Sequence, residues 1–279
     1  MLKYELIPAQ LLHEGLINSI NLFAPIAISE DIISLTHDLN YWHRLRDLKL
    51  SPQEARRIGF PVTRELINRE VCIVSGTIEG CLFAKDLGIA FNIAGGTHHA
   101  GYDWGEGFCL LNDQAIAANY LLKNNLANRI LIIDLDVHQG NGTAQIFKNE
   151  DRVFTFSMHG QKNFPFRKEI SDLDIGLDDG TGDVPYLKIL RENVNVLFNT
   201  FLPDFVFYLS GVDVLESDSL GKLSLSKMGC KERDEIVLSQ CYNRKIPVQV
   251  SMGGGYSPHI KDIVNAHCNT YRVALDLYN

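Results

Sequence analysis

The stretch that decides the fold is ILIIDLDVHQGNG, residues 130–142. Its first four residues are apolar, which favours a short strand buried on both faces, as in a parallel sheet that helices cover on each side. Asp134, Asp136 and His138 follow at alternate positions. Because residues i, i+2 and i+4 of a strand share one face, two carboxylates and an imidazole converge where this strand ends. Crowded, buried carboxylates repel each other unless a cation or a proton neutralises them.

Four other short apolar runs have the same character, and helical patterns alternate with them. The strand-like runs are residues 89–93, 153–156, 205–209 and 247–252. Helical periodicity covers residues 63–85, 113–123, 186–201, 227–243 and 259–266. A further helix is predicted to begin after Ser51, with Ser51 as its N-cap and Glu54 closing a capping box. Alternating strands and helices predict a multi-layer α/β fold, whose site lies beyond the carboxyl ends of the strands.

The composition of the 279 residues is that of an ordinary globular protein. Hydrophobic residues make up 46% and charged residues 22%, and there is no internal repeat or linker, so we expect one domain over residues 1–279. The formal net charge is −8, from 26 Lys and Arg against 34 Asp and Glu. Because no basic run occurs, we expect no direct nucleic-acid binding. The acidic segment between residues 172 and 183 is predicted to be a solvated loop.

The six cysteines and the first residues bear on the cellular location. No two cysteines have CxxC spacing, and the opening MLKYELIPAQ lacks the basic and then apolar pattern of a signal peptide. No run of about 18 apolar residues occurs, so we expect no membrane span. These observations predict reduced thiols in a cytoplasmic protein.

Asp136, His138 and Asp213 form a candidate metal site. Asp213 follows the strand-like run 205–209, so it is expected at the same edge of the sheet as the other two. One nitrogen and two oxygen donors, with a position left open, are typical of a catalytic zinc site. A metal in such a site acidifies water and polarises a carbonyl group.

Two further motifs supply acid–base chemistry. His98 and His99 lie in a glycine-rich loop after the run 89–93, and histidine transfers protons near neutral pH. Asp134 is not one of the three candidate metal ligands, so its carboxylate can instead orient one imidazole. Tyr256 follows three glycines, and its hydroxyl can donate a hydrogen bond to a developing oxyanion. No role is assigned to His13, His37, His43, His159, His259 and His267.

Several ordered motifs resemble those of the histone deacetylase superfamily, and within it the class IV and bacterial deacetylase-like branch. The resemblance covers nearly the whole chain. The motifs are His37-Asp38, GGTHHAGYDWGEGFCLLND at residues 95–113, IIDLDVHQGNGT at 132–143, GTGD at 180–183, SGVDVLESDSLGKLSLS at 210–226 and GGGY at 253–256.

The resemblance implies a single, three-layer arginase/deacetylase domain with a central parallel sheet of about eight strands. It implies that zinc is held by Asp136, His138 and Asp213. It also implies that His98 and His99 are tandem catalytic histidines, with His99 as general base and acid. Asn141 would face His99, and Tyr256 would assist zinc in polarising the acyl carbonyl.

The resemblance also implies an acyl-lysine tunnel and a second cation. Phe108, together with Phe164 or Phe166, would wall the tunnel, and the carbonyl of Gly107 would lie near the substrate amide; from the residues alone, Phe108 fits either a core or a channel. A potassium ion beside the zinc would be held, largely through backbone oxygens, by Asp134, Asp136, His138, Ser157 and Met158.

The sequence departs from the family pattern at two places, one bearing on the branch of the family and the other on how the substrate is bound. Asn141 stands where the better-known deacetylases have an aspartate, which favours the class IV branch. No aspartate near residues 59–61 matches the one with which the family grips the substrate backbone. Class IV relatives are associated with the removal of long acyl chains, so the acyl group can be larger than acetyl.

The sequence therefore predicts a zinc-dependent hydrolase that removes an acyl group from N-acyl-lysine in a protein or peptide. A deacylase of small amines, such as acetylpolyamines, is a close alternative. An arginase-like ureohydrolase needs a carboxylate two residues after the histidine, where this chain has Gly140. A non-catalytic acyl-binding scaffold would be expected to have lost a metal ligand or the tyrosine, and all of them are present. The oligomeric state is not predicted.

Overall fold

A single parallel sheet forms the centre of the molecule in the computed structural model, which describes residues 2–278. Its strands are β1 Ile89–Asn92, β2 Ile130–Asp134, β3 Val153–Gly160, β4 Leu173–Leu177, β5 Phe205–Leu209 and β6 Val248–Ser251. They lie in the order β1-β6-β5-β2-β3-β4, and every neighbouring pair is parallel. The α/β class is thus confirmed. The count of about eight strands is wrong for the described residues, which form six.

The acidic segment contains a strand that the sequence analysis missed. Strand β4 is the edge strand beside β3, so the prediction of a solvated loop over residues 172–183 is wrong for this part. Leu173 and Ile175 pack against the core, whereas Asp174 between them faces outward and accepts a hydrogen bond from Gln139 at 2.8 Å. An edge strand with one polar face has a weak hydrophobic signal, and the flanking acidic residues obscured it.

Ten α-helices surround the sheet within the described residues. They are α1 Lys3–His13, α2 Glu30–Ile33, α3 Leu39–Arg46, α4 Pro52–Ile58, α5 Arg64–Leu87, α6 Asp113–Lys123, α7 Asn141–Phe147, α8 Asp183–Thr200, α9 Lys227–Arg244 and α10 Ile260–Tyr278. The capping box of Ser51 and Glu54 at α4 is confirmed. Helix α10 extends well beyond residue 266, where its prediction ended, and α1 was not predicted, because Pro8 lies inside it.

The sheet is buried on both faces, as the sequence of β2 predicts. Leu131 and Ile133 pack into a core with α8, α9 and α10. Ile130 and Ile132, which alternate with them, pack into a second core with α5 and α6. Two cores on opposite faces of one sheet give the three-layer arrangement that the apolar strands require.

The strand registers bring the site loops together. Asp134 at the end of β2 pairs with Leu209 of β5 on one side and with Ser157 of β3 on the other. Leu209 in turn pairs with Ser251 of β6. The loops that leave β2, β5 and β6 therefore begin side by side at one edge of the sheet.

Two other sequence predictions concern the cysteines and the membrane. All six cysteines are free, and only Cys72 is exposed. None of the helices between residues 2 and 278 has both the length and the apolar character that a bilayer crossing requires.

Candidate active site

The loops after β2 and β5 bring Asp136, His138 and Asp213 together. One candidate ligand atom from each lies within 4.8 Å of the others. His138 Nδ1 is 3.0 Å from Asp136 Oδ1 and 3.3 Å from Asp213 Oδ2. All three side chains are almost fully buried. Backbone amides of Val137 and Gly254 donate to the carboxylates of Asp213 and Asp136, which fixes the outer oxygen of each.

The buried cluster contains more negative charge than its imidazole can neutralise. Burial and then the neighbouring carboxylate of Asp136 raise the pKa of Asp213 to about 7. Burial lowers the pKa of His138, but the hydrogen bond to Asp136 and the nearby Asp213 carboxylate outweigh it and raise the pKa to about 10. In the protein alone, protons stabilise the cluster. A bound cation would replace them, because it favours ionised carboxylates and a neutral imidazole.

The cluster also fits a metal sterically. Asp213 Oδ2 is buried and makes no well-formed hydrogen bond among the described residues, although it lies near His138 Nδ1. A buried carboxylate oxygen without such a partner is costly unless something else satisfies it. Gly254 lies so close that a Cβ there would come within 1.9 Å of this oxygen. The two carboxylates and one imidazole, the Asp213 oxygen without a well-formed hydrogen bond and the close approach of Gly254 therefore suit a small cation.

The two adjacent histidines have different partners. His98 Nδ1 lies 2.7 Å from Asp134 Oδ2, and His99 Nδ1 lies 2.6 Å from the side-chain oxygen of Asn141. Their ring centroids are 4.1 Å apart, and the His99 ring is edge-on to that of His138, with 5.9 Å between centroids. Both imidazoles thus stand beside the candidate metal ligands, one held by a carboxylate and the other by an amide.

Asn141 has a second partner that the sequence analysis missed. Its side-chain nitrogen donates to Glu106 Oε1 at 2.7 Å, and Glu106 Oε2 accepts a hydrogen bond from Arg57 Nε. The sequence showed Glu106 only as part of a glycine turn, and nothing local pointed to a residue far along the chain. A line of contacts therefore runs from Arg57 through Glu106 and Asn141 to His99.

Tyr256 follows the glycines after β6 and approaches the same place. Its ring centroid is 6.5 Å from that of His138 and 6.5 Å from that of Phe108. Asp218 accepts a hydrogen bond from the backbone nitrogen of Tyr256 at 2.6 Å. Burial and then the carboxylates of Asp136 and Asp213 raise the Tyr256 pKa well above its usual value. The phenol therefore stays protonated, and its hydroxyl can donate a hydrogen bond.

A cavity of about 390 Å³ lies over these residues. Phe60 and Phe108 line it, with 4.8 Å between their ring centroids, and Phe60 was not predicted. Gly107 also lines it; a Cβ there would come within 2.6 Å of the His99 ring, so a larger residue would displace the histidine. The cavity is therefore narrow beside His99 and aromatic where Phe108 reaches solvent.

The other two predicted tunnel residues lie in different places. Phe164 packs edge-on against His99, with 5.0 Å between ring centroids. Phe166 is 90% exposed, and neither of these two phenylalanines is among the residues that line the cavity. The structure thus brings Phe164 to the site and leaves Phe166 on the outside.

The start of α1 and part of α5 line the cavity as well, and neither was predicted to do so. Lys3 Nζ donates to the backbone oxygen of Gly253 at 2.8 Å, and Arg69 donates to Glu70 Oε1 at 2.8 Å. Glu70 Oε2 is buried without a hydrogen-bond partner among the described residues. Burial, partly offset by Arg69, raises the pKa of Glu70 to about 7. No local motif marks these residues, since only tertiary packing brings them to the cavity.

The predicted potassium ligands lie at the end of the central strands. Ser157 is the β3 neighbour of Asp134, and Met158 beside it is fully buried in the core. The potassium site stays a prediction.

Comparisons with known proteins agree on one family. The family model of the histone deacetylase domain matches residues 2–271. An uncharacterised protein of Picosynechococcus sp. is 43% identical over 278 residues, which cover 100% of this chain and 93% of that protein. Histone deacetylase 2 of Arabidopsis thaliana is 31% identical over 88% of this chain, and the match spans 66% of its own length.

Solved structures give the same answer. The crystal structure of a histone deacetylase homolog from Aquifex aeolicus has a TM-score of 0.80 and 26% identity, over 92% of this chain and 73% of that one. A structure of such a homolog complexed with SAHA gives the same values. With the family model matched over nearly its whole length, the chain belongs to the histone deacetylase family of amide-bond hydrolases.

Proposed function

We propose that the chain is a zinc-dependent deacylase that hydrolyses the amide of N-acyl-lysine within a single catalytic domain. One observation carries this proposal: Asp136, His138, His99 and Tyr256 all line one cavity with an aromatic mouth. Metal-ligand donors, a proton carrier and an oxyanion donor are what amide hydrolysis needs within reach of one carbonyl group.

Zinc would be held by Asp136, His138 and Asp213, which supply one nitrogen and two oxygen donors. When bound, it would polarise the acyl carbonyl and lower the pKa of water at the open position. Asp134 stays outside this set because His98 occupies one of its oxygens at 2.7 Å.

His99 moves the proton in this proposal. Its Nδ1 is engaged by Asn141, so Nε2 is the ring nitrogen that remains to accept a proton from the attacking water. The water oxygen bonds to the carbonyl carbon, the carbon–nitrogen bond then breaks, and His99 returns the proton to the leaving amine. Burial and then the charges of His98 and His138 lower the His99 pKa well below its usual value, so His99 starts neutral.

The remaining residues hold the substrate and its developing charge. Tyr256 donates a hydrogen bond to the carbonyl oxygen as that oxygen becomes negative. The backbone carbonyl of Gly107 accepts the substrate amide N–H, and the ring of Phe108 packs against the lysine chain. His98, braced by Asp134, carries positive charge beside the reacting group.

Asn141 supports placement in the class IV branch, and the cavity supports acyl groups longer than acetyl. At about 390 Å³ it falls in the usual range of roughly 300–1,000 Å³ for small-molecule sites. It also reaches Lys3 and Tyr4 of α1, beyond the space that an acetyl group needs.

A deacylase of small amines is a second candidate, favoured by the cavity mouth. Phe60, Phe108 and Leu220 line the cavity with apolar side chains, and none of these side chains can accept a hydrogen bond from a peptide backbone. A substrate without a peptide backbone needs no such hydrogen bond, so this cavity mouth suits it.

The test is hydrolysis of acetyl- to myristoyl-lysine peptides and acetylated polyamines by the zinc-loaded protein, with and without SAHA. We expect turnover of at least one acyl-lysine peptide and its inhibition by SAHA. Asp136→Ala is the matched control and should show neither zinc nor turnover. Turnover of polyamines alone would favour the second candidate, and no turnover of any amide would contradict the proposal.

A further inference from the structure

Glu106 is hydrogen-bonded to the side chain of Asn141, which in turn holds His99. Glu106 is buried, with 8% of its surface exposed, and its carboxylate has two polar partners. Oε1 accepts a hydrogen bond from Asn141 Nδ2 at 2.7 Å, and Oε2 accepts one from Arg57 Nε. Each carboxylate oxygen therefore has its own donor, Asn141 for Oε1 and Arg57 for Oε2.

The chemistry of these groups leaves only one arrangement of hydrogens. An ionised carboxylate accepts and does not donate, so the amide nitrogen of Asn141 must face Glu106. The amide oxygen then faces His99 Nδ1 at 2.6 Å, which requires that Nδ1 carry the hydrogen. In a neutral imidazole the other nitrogen, Nε2, then has the lone pair. An asparagine without such a neighbour is free to face either way.

The backbone holds Glu106 in this position. Glu106 and Cys109 exchange hydrogen bonds at 3.0 and 2.9 Å across a turn whose central residues, Gly107 and Phe108, have φ of +56° and +69°. Positive φ at both central positions is typical of a type I′ turn. The amide of Phe108 donates to Ile58 of α4 at 2.8 Å, so the turn is fixed to a helix end. The turn that lines the cavity thus also orients the Glu106 carboxylate.

We propose that Glu106 is a positioning residue that sets the tautomer of His99 through the amide of Asn141. This inference rests on the proposed function only in that His99 Nε2 accepts the proton; the tautomer itself is a property of the protein. Arg57 takes part in this positioning. A guanidinium group only donates hydrogen bonds, so Arg57 must be bound by an oxygen of residue 106.

Glu106→Gln tests the proposal with almost no change of shape. Arg57 would donate its hydrogen bond to the single side-chain oxygen of Gln at position 106, so the amide nitrogen of that side chain would face Asn141. Asn141 would then turn its oxygen toward residue 106 and its nitrogen toward His99, which forces the hydrogen of His99 onto Nε2. We expect kcat to fall by at least about tenfold and at most by the roughly 10²–10⁴-fold that a positioned acid–base group contributes, with KM changed less.

The exchange variant Glu106→Gln/Asn141→Asp restores the original arrangement with the two groups swapped. The amide nitrogen at residue 106 would donate to the carboxylate at 141, whose other oxygen would again accept from His99 Nδ1. Asn141→Asp alone places two carboxylates against each other. We therefore expect the double variant to be more active than the product of the two single effects, as coupled residues are.

Nitrogen-15 NMR of the imidazoles reads the tautomer without any substrate, with the His99 signals assigned by their loss in His99→Gln. We expect hydrogen on Nδ1 in the parent and the exchange variant, and on Nε2 in Glu106→Gln. This measurement keeps the inference testable even where no substrate is turned over. Glu54→Gln is the matched control, because Glu54 also pairs with an arginine, Arg44, but lies outside the cavity lining.

Two results would overturn the proposal directly, and a third would do so through the control. One is an unchanged His99 tautomer in Glu106→Gln. The other is an exchange variant no more active than the two single variants predict by multiplication. A loss of kcat in Glu54→Gln equal to that in Glu106→Gln would also count against it, because loss of any arginine partner would then explain the effect.

Discussion

His98 and His99 are neighbours in the chain, yet the regions that hold them differ in kind. His98 is held from the strand side, where Asp134 ends β2 and its carboxylate lies 2.7 Å from Nδ1. His99 is held from the loop side, where the amide of Asn141 lies 2.6 Å from Nδ1 and Glu106 stands behind it. The distances are alike and the burial is alike. The charge of the hydrogen-bond partner differs, because Asp134 is a carboxylate and Asn141 is an uncharged amide.

That difference separates the protonation of the two rings. Burial lowers the pKa of His98, but the carboxylate of Asp134 outweighs burial and raises the pKa to about 9. Burial lowers the pKa of His99, the charges of His98 and His138 lower it further, and the amide offsets little of this. One ring is therefore suited to hold a positive charge and the other to start neutral and move a proton.

The sharpest test of this comparison removes each ring in turn. His99→Ala should reduce kcat by about 10²–10⁴-fold, because it deletes the proton carrier. His98→Ala should cost less, since the proton carrier remains. Steady-state kinetics on one acyl-lysine peptide, with zinc content measured in both variants, makes the comparison. An equal loss, or a larger loss in His98→Ala, would show that the roles are shared or reversed.

Tyr256→Phe is a reference variant for this comparison, because it leaves both His98 and His99 unchanged. It removes one hydrogen-bond donor to the oxyanion, and such a loss typically costs about 10²–10³-fold in turnover. Zinc content and the acidic limb of the pH profile should stay as in the parent, because the proton carrier is intact. A loss of only about twofold would make Tyr256 a packing residue.

Asn141→Asp makes the loop side resemble the strand side and should have the smallest effect on maximal turnover. A carboxylate favours imidazolium, so it raises the pKa of His99, and His99 must be neutral to accept a proton. The acidic limb of kcat/KM, which reports the base in the free enzyme, should therefore move to higher pH. The shift should be clearest with Glu106→Gln, which relieves the repulsion between the two carboxylates. An unchanged or downward-shifted limb at equal metal content would contradict the pairing of Asn141 with His99.

The sequence reveals the strand side of the site more readily than the cavity around it. Asp134, Asp136 and His138 are spaced by the strand repeat, so a local pattern predicts that they converge. The five strands other than β4 were likewise predicted because they are apolar on both faces. Family resemblance supplied the count of eight strands, and no feature of this chain supported it.

The residues that the sequence did not reveal come from distant parts of the chain. Lys3 at the start of α1, Phe60 after α4 and Glu70 in α5 reach the cavity only through tertiary packing, and none belongs to a local motif. Glu106 was visible as a turn residue, but its contact with Asn141 depends on two loops meeting. Periodicity reports which face a residue occupies and carries no information about which remote segment covers that face.

The central claim is that one metal site, next to a neutral His99, makes this chain a deacylase, and metal titration tests it most directly. Protein stripped with a chelator is titrated with zinc while bound metal and acyl-lysine hydrolysis are followed together, with Asp136→Ala in parallel. We predict that hydrolysis rises with bound zinc and saturates at one ion per chain, and that Asp136→Ala binds none and stays inactive. Full hydrolysis by the stripped protein, or a requirement for a second zinc ion, would contradict the account.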